Sequence, residues 1–240
     1  ATFPKKDRKE FSQMKLNQHM EMSEYFQKVL VEGGDWYKKK NFHSHGPGSK
    51  YAYSNIGAAL AAFVIELAVG ESFESFTQKH ILDPLNMKNS AWHFDQIDMS
   101  KHCKLYLPQG QVLPKYTLIT FPDGGFLTSI EDMSLYLQEV IRGFEGKGKI
   151  LSPESYQEML KSHAGGEDDY SIFWEYNSAG RIGHNGSDPG VFTNLQFDPK
   201  QNQGWLIFTN TNLDKKLGSF DQIRNAWIVL RKYGPKLEAQ

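Results

Sequence analysis

Apolar residues recur at helical spacing in the first two thirds of the chain and alternate with polar residues over short runs in the last third. The run from Ile56 to Val69, closed by Gly70, has the length and composition of a helix, and it predicts a buried one. A second helical pattern runs from Met20 to Leu30 and stops at Gly33-Gly34. The pattern therefore predicts a mainly helical region ahead of the alternating one.

Three further helices are predicted by their start signals. Each signal is a serine or threonine whose side chain satisfies free N–H groups of the first turn. The second signal also has the glutamate of a capping box, and the third has a proline at the first helical position. The predicted helices run from about Phe73 to Ile81 after Ser72, to about Arg142 after Thr128 with Glu131, and to about Leu160 after Ser152.

Four short runs in the last third are rich in aromatic and β-branched residues and are separated by turn residues, which is typical of antiparallel strands. The runs are 170–176, 181–184, 191–198 and 204–209, and a closing helix follows at 220–232. Residues 90–120 favour short strands or an extended loop. We therefore expect a single α+β domain over 1–240, mainly helical over about 20–165, with antiparallel strands and the closing helix over about 166–235.

Composition and charge narrow the function classes. The formal net charge is -1 and no segment is strongly basic, so we expect no nucleic-acid partner. The apolar run is too short for a bilayer and contains Glu66, so we expect no membrane span. Cys103 is the single cysteine, which excludes an internal disulfide and a cysteine-rich zinc site. The charged start at Ala1 is unlike a signal peptide and lacks methionine, so we expect the native start upstream.

Two polar motifs adjoin regular structure. Tyr53-Ser54-Asn55 follows the turn at Pro47-Gly48 and leads directly into the long apolar helix. Such a position holds a phenol and an amide rigidly, but taken alone the pattern favours Ser54 or Asn55 as a plain helix cap. The second motif, 183–187, lies on a predicted strand, and the turn Asp188-Pro189-Gly190 after it leaves one strand edge accessible.

Other candidates are weaker. His43 and His45 have the spacing of metal ligands, but two ligands without an HExxH motif or a cysteine cluster favour a structural role, and we expect no metal. Cys103 beside His102 lacks a nucleophile motif, which favours an ordinary cysteine. The glycosylation acceptor pattern that starts at Asn185 falls inside a polar motif, where a glycan would block it, so we treat it as chance.

The order of the motifs resembles that of the serine hydrolases of the penicillin-binding protein and class C β-lactamase type, which also include esterases and D-amino-acid peptidases. The resemblance covers about Gly33 to Trp227. Its pieces are Tyr53-Ser54-Asn55, the Ile-x-x-Pro-Leu-x-Met segment at 81–87, the glycine turn at 123–129, and His184-Asn185-Gly186, where many members have Lys-Thr-Gly. The resemblance implies a β-lactamase/transpeptidase-like fold, incomplete at its N-terminus.

The resemblance also implies roles for five residues in acyl transfer through a covalent serine ester. Tyr53 would carry the serine proton to the leaving group, and Asn55 would hold the catalytic lysine and the acyl amide of the substrate. His184 would bind a substrate carboxylate or assist proton transfer, which favours esters or less anionic substrates over penicillins. Gly186 would admit substrate to the strand, and the N–H of Ser187 would form half of the oxyanion hole.

The family resemblance further implies a small-molecule or peptide substrate that is an ester, an amide or a D-peptide, with no cofactor. It favours a periplasmic or secreted location. A second function class remains open, because a family member without a nucleophile could act as a binding module for a peptide or an acyl ligand.

The nucleophile is the main departure from the family pattern. Members carry a Ser-x-x-Lys motif, and here only Ser12 and Lys15 have this spacing, amid charged residues that would not bury the lysine. A catalytic lysine must lose its proton, which requires desolvation or a nearby positive charge. We therefore expect the nucleophile, with two further strands of the sheet, in a segment upstream of Ala1, and we expect these 240 residues alone to be inactive.

Overall fold

The computed structural model describes residues 20–46, 48–49, 51–163 and 169–237. Ser12 and Lys15 lie outside the described residues. The helices are α1 (Met22–Leu30), α2 (Asn55–Val69), α3 (Phe73–Thr77), α4 (Ile130–Phe144), α5 (Pro153–Leu160) and α6 (Ser219–Leu237). The strands are β1 (Glu175–Tyr176), β2 (Ile182–Asp188), β3 (Val191–Asp198) and β4 (Gln203–Thr209). The predicted α+β class is therefore confirmed.

The strands form one antiparallel sheet in the order β1-β2-β3-β4. Strand β2 pairs with β3 along its whole length, from Ile182 opposite Phe197 to Asp188 opposite Val191. Strand β3 pairs with β4 in the same continuous way. Strand β1 is much shorter than the predicted run at 170–176, and it contacts β2 only at Ile182 and Gly183.

The chain divides into two compact units. The helical unit comprises the described residues of Ala1–Phe76 and Tyr116–Phe126, and the sheet unit comprises those of Thr77–Lys115 and Leu127–Gln240. The expectation of a single domain stays a prediction.

In the sheet unit, α4 packs on β4 and β3 over a buried apolar core. A Cβ atom on Gly204 would lie 2.6 Å from Cδ2 of Leu137, so this glycine allows α4 to approach β4 closely. Aromatic rings fill the centre, since Trp174 contacts Phe197 edge-on with 6.2 Å between ring centroids. The core residues are Leu137, Val140, Leu160, Trp174, Ile182 and Phe197.

The helical unit is built around α1 and α2. The Phe26 and Phe63 rings meet with 5.5 Å between their centroids, and Met22 and Val29 are buried on the same face of α1. The carboxylate of Glu66 accepts a hydrogen bond of 2.8 Å from the Phe73 N–H, which links α2 to the next helix.

The prediction that α2 is buried is wrong for the described residues. Ala59 and Ala62 are its buried residues, whereas Leu67 is 70% exposed and Val64 is 55% exposed. The reason is that apolar residues occur all around this helix, while α1 and the turn Phe121–Asp123 pack on one side of it within the helical unit. Composition predicted the helix but not the contacts that would cover it.

The start of α4 also differs from its prediction. The N-cap is Ser129, whose Oγ accepts a hydrogen bond from the Asp132 N–H at 3.1 Å. The Thr128 hydroxyl instead lies 2.7 Å from Oγ of Ser90, and the buried carboxylate of Asp132 accepts from that same Ser90 at 2.7 Å. Thr128, which the local pattern predicted as the cap, therefore contacts a residue 38 positions away in the sequence instead.

Two other predicted segments change at their ends. The helix after Ser72 is α-helical only to Thr77 and continues as a π-helix over Gln78–Leu82. The closing helix α6 is longer than predicted. Among the described residues no single helix is long and apolar enough to cross a membrane, and α2 reaches that length and composition only as a bent pair with the Phe73–Leu82 segment.

Candidate functional site

The tyrosine segment, Tyr53-Ser54-Asn55, lies at the start of α2 in the helical unit. Ser54 is the N-cap, with extended backbone, and its Oγ accepts a hydrogen bond of 3.0 Å from the Gly57 N–H. The capping interpretation is therefore confirmed for Ser54. Because the cap uses this hydroxyl, the chemistry open to the segment belongs to Tyr53 just before the helix and to Asn55, its first residue.

Both of those side chains are accessible. Tyr53 is 56% exposed and Asn55 is also exposed. A glycine turn precedes them, where Gly48 adopts a φ of 76° and the Ser49 hydroxyl donates to the Gly46 carbonyl at 2.6 Å. The segment thus presents an exposed phenol and an exposed amide two residues apart.

The histidine strand, residues His184–Ser187, lies on β2 in the sheet unit. Side chains alternate between the two faces of a strand, so His184 and Gly186 share one face and Asn185 and Ser187 share the other. His184 is half-buried, whereas Asn185 and Ser187 are exposed. The imidazole therefore has a supported position on the sheet.

One edge of the histidine strand is open within the described part of the chain. On one side it pairs with β3, but on the other side β1 ends opposite Gly183. Beyond that point no strand among the described residues pairs with this side of β2. A strand edge of this kind is where an extended ligand can add as a further strand. The end of the pairing with β1 agrees with the edge expected from the sequence, and access of a ligand to it stays a prediction.

Gly186 has a packing reason to be glycine. A Cβ atom there would lie 2.9 Å from Oγ1 of Thr193, its cross-strand neighbour. A larger residue would push that threonine aside and widen the pair between β2 and β3. The expected role of this glycine in admitting substrate stays a prediction.

Sequence reasoning missed Asn212, which follows β4. Its Oδ1 accepts a hydrogen bond of 2.6 Å from the N–H of Gly190, in the turn after the histidine strand. The two residues are 22 positions apart in sequence, and an asparagine in a polar loop carries no local signal for such a contact.

The remaining candidates lie outside any cluster of metal-ligating groups that the described part of the chain forms. The rings of His43 and His45 stack with 4.9 Å between centroids. Among the described residues no group of three or more histidine, cysteine, aspartate or glutamate side chains could hold a metal ion. Cys103 is an exposed free thiol. Burial, together with the positive charge of Lys115, lowers the pKa of the neighbouring His102.

The predicted site residues fall in different units. Tyr53 and Asn55 belong to the helical unit, and His184, Gly186 and Ser187 belong to the sheet unit. The structure supports each group within its own unit, and the catalytic roles stay predictions.

Comparisons with known proteins place the chain in a family. The sequence model described as Beta-lactamase matches residues 21–226. Protein flp of Staphylococcus aureus strain MW2 is 27% identical over 184 residues, which cover 70% of this chain and 35% of that protein. The chain therefore spans about a third of the length of this relative.

Solved structures show the same fold. The penicillin-binding protein from Bacillus halodurans matches with a TM-score of 0.69 at 18% identity, over 92% of this chain and 67% of the other. A class C β-lactamase matches with a TM-score of 0.62 at 18% identity, over 80% of this chain and 61% of the other. The predicted β-lactamase/transpeptidase-like fold is confirmed, as is the resemblance to penicillin-binding proteins and class C β-lactamases.

Proposed function

The chain belongs to the beta-lactamase family, and from this membership we propose that it supplies the tyrosine and the strand edge of a serine hydrolase site. In the proposed reaction a serine oxygen bonds to the carbonyl carbon of an ester, amide or D-peptide, and the leaving group departs. Water then hydrolyses the serine ester. The observation that carries the proposal is that a phenol is exposed at a capped helix start and an imidazole lies on a strand with an open edge.

In this proposal the Tyr53 phenol takes the proton of the attacking serine and passes it to the leaving group. Its position supports the role, since it is exposed and directly precedes the capped N-terminus of α2. The partial positive charge of a helix N-terminus stabilises negative charge on a nearby oxygen. Asn55 would orient the catalytic lysine and the acyl amide of the substrate from the same turn.

In this proposal the histidine strand also binds the substrate. An extended substrate can hydrogen-bond to the open edge of β2, and the Ser187 N–H would be one of the two donors to the oxyanion. His184 would bind a substrate carboxylate or assist proton transfer. Because histidine is neutral near pH 7 in many settings, we propose esters or less anionic acyl compounds as better substrates than penicillins.

We further propose that the nucleophile is a Ser-x-x-Lys serine of the native protein that precedes Ala1, rather than Ser12. The test is the intact mass of the native protein before and after reaction with a fluorophosphonate, followed by peptide mapping of the adduct. We expect one adduct, on a serine that precedes Ala1, and no adduct on the isolated 240-residue chain. An adduct on Ser12 would overturn the assignment of the nucleophile, and no adduct on the native protein would favour the binding-module alternative.

The role of Tyr53 has a matched control in the same loop. Tyr51 is also exposed, at 45% against 56%, and lies two residues away. We expect Tyr53→Phe to lower kcat for p-nitrophenyl ester hydrolysis by the native protein by about 10²-fold to 10⁴-fold, the usual contribution of general acid–base catalysis. Tyr51→Phe should retain kcat within about twofold. Equal effects of the two changes would contradict a specific role for Tyr53.

A further inference from the structure

The amide side chain of Asn212 holds the turn between β2 and β3 through both of its ends. Its Oδ1 accepts from the Gly190 N–H at 2.6 Å. Its Nδ2 donates to the Asp188 carbonyl at 2.6 Å and to the Val191 carbonyl at 3.2 Å. A donor group facing two carbonyls and an acceptor facing an N–H fix the orientation of the amide.

The same Nδ2 lies 3.3 Å from Oγ of Ser187, the last residue of the histidine strand. Asn212 therefore contacts the end of that strand as well as the turn that follows it. The amide nitrogen has two protons and lies near three acceptors. Asn212 therefore forms one compact network with Ser187, Asp188 and Val191.

The turn is also held from its other side. Gly190 has a φ of 78°, and a Cβ atom there would lie 2.7 Å from Cβ of Leu105 and 2.7 Å from Cδ1 of Leu113. The two leucines are joined by a backbone hydrogen bond, in which the Leu113 N–H donates to the Leu105 carbonyl at 2.8 Å. The turn thus lies between these two leucines and the amide of Asn212.

Asn212 is itself tied to a long helix. Its backbone carbonyl accepts a hydrogen bond of 3.1 Å from the hydroxyl of Ser219, the first residue of α6. That hydroxyl also accepts from the Asp214 N–H at 2.7 Å. A side chain whose backbone is fixed in this way can fix the position of what it binds.

We propose that Asn212 is a positioning residue that sets the location of the Ser187 end of the histidine strand. The inference rests on the proposed function, in which the Ser187 N–H stabilises the oxyanion. Oxyanion donors act only when they are placed correctly for the transition state, so a shift of the strand end lowers kcat. Asn212 acts through Ser187 and the turn, and takes no part in the reaction itself.

The test compares Asn212→Ala with Asn210→Ala in the native protein. Asn210 is exposed and lies two residues away, and its Nδ2 donates to the Lys104 carbonyl at 3.0 Å rather than to a group of the turn. We expect Asn212→Ala to speed amide hydrogen exchange at Gly190 by about tenfold or more, because the acceptor of that N–H is removed. We expect kcat for p-nitrophenyl ester hydrolysis to fall by about a hundredfold with KM within about threefold. Asn210→Ala should change neither quantity by more than about twofold.

Asn212→Asp tests the acceptor and the donor ends of the amide separately. It also provides a second variant in case Asn212→Ala does not fold. The aspartate keeps an acceptor for the Gly190 N–H but places a charge against the carbonyls of Asp188 and Val191. We expect slow exchange at Gly190 to survive while kcat still falls by about tenfold or more.

The outcomes distinguish this inference from the proposed function. If Asn212→Ala speeds exchange at Gly190 but leaves kcat unchanged, the contacts of Asn212 with the turn do not serve catalysis. If exchange at Gly190 is unchanged, Asn212 does not hold the turn in solution. Either result overturns the inference. A native protein that neither hydrolyses esters nor reacts with a fluorophosphonate would overturn the proposed function, and with it the catalytic role of Asn212. Normal hydrolysis with a kcat effect at Asn210 equal to that at Asn212 would overturn the inference alone.

Discussion

The tyrosine segment and the histidine strand are held in place differently. A hydrogen bond from the Gly57 N–H to Oγ of Ser54 caps the helix that follows Tyr53, and its two residues are three positions apart. The histidine strand is paired with β3 along its length, and its end is bound by Asn212 from 25 positions away. The first arrangement depends on neighbours in the sequence, and the second depends on the folded sheet unit.

The buried residues behind the histidine strand and those behind the tyrosine segment also differ. Beneath the histidine strand, Ile182 and Phe197 are both fully buried in the core of the sheet unit. The helix behind the tyrosine segment buries only alanines among its described residues, Ala59 and Ala62. Burial of large apolar side chains is the main source of folding stability. We infer that the histidine strand has the firmer support, and three measurements test this comparison.

The largest expected effect comes from truncating one large apolar residue on each side of the comparison, a buried one in the sheet unit and an exposed one on α2. Phe197→Ala removes a ring that is fully buried against Trp174, and we expect it to lower the free energy of unfolding by about 3–5 kcal/mol. Leu67→Ala on α2 removes a side chain that is 70% exposed, and the expected loss is below about 0.5 kcal/mol. Urea unfolding of the native protein, monitored by circular dichroism, gives both values. A similar loss for the two changes would break the comparison.

The second measurement concerns the buried carboxylate of Glu139 in the sheet unit. Burial alone would raise its pKa, but hydrogen bonds from the Lys149 N–H, the Tyr156 hydroxyl and the Ile150 N–H together lower it below the usual 4.5. The stabilisation is fully present above the unfolded pKa and is lost as the pH falls through the lower folded pKa. At pH 7 we expect Glu139→Gln to cost about 1–3 kcal/mol, since it disturbs three bonds to a charged group.

The pH dependence makes this test specific. The difference in unfolding free energy between the native protein and Glu139→Gln should be constant near neutral pH and should shrink as the pH falls below about 4.5, the usual pKa of glutamate. Glu158→Gln, at an exposed position on the neighbouring helix α5, serves as the control and should cost less than about 0.5 kcal/mol. A difference that grows on acidification would contradict the assignment of the charged form.

The smallest effect is expected at the helix cap. Ser54→Ala removes the acceptor of the Gly57 N–H and should cost about 1 kcal/mol of stability. Ser54→Asp keeps an acceptor and should retain most of that stability. Because Ser54→Ala removes the acceptor of the Gly57 N–H, we also expect amide exchange at Gly57 to speed up in the alanine variant only. Unchanged exchange in Ser54→Ala would show that other contacts hold the tyrosine segment.

The sequence predicted best the features that depend on local chemistry. The run at 191–198 is strand β3, and the apolar run from Ile56 to Val69 is α2 with one residue added at its start. The serine that caps α2 was one of two candidates for that role. In each case the pattern of a few neighbouring residues is sufficient, because alternation and capping act over one turn or one strand.

What the sequence did not predict depends on distant partners. The exposure of Leu67 is set by what packs on α2, the cap of α4 is Ser129 because Thr128 contacts Ser90, and the role of Asn212 is set by a turn 22 residues earlier. None of these partners can be read from a local pattern. Within the candidate site, the order of the motifs predicted Tyr53 and His184 as candidate residues. The contacts that hold their segments in place could be seen only in the structure.

The contacts of Asn212 also impose an order of events during synthesis of the chain. A ribosome makes the turn that contains Gly190 before it makes β4, and Asn212 follows 22 residues after that glycine. The hairpin of β2 and β3 can therefore pair as it emerges, but its turn cannot be fastened until Asn212 has been made. Its anchor to Ser219 comes later still, because α6 is the last helix of the described chain. The turn after the histidine strand can thus gain these contacts only once residues 212–219 have been made.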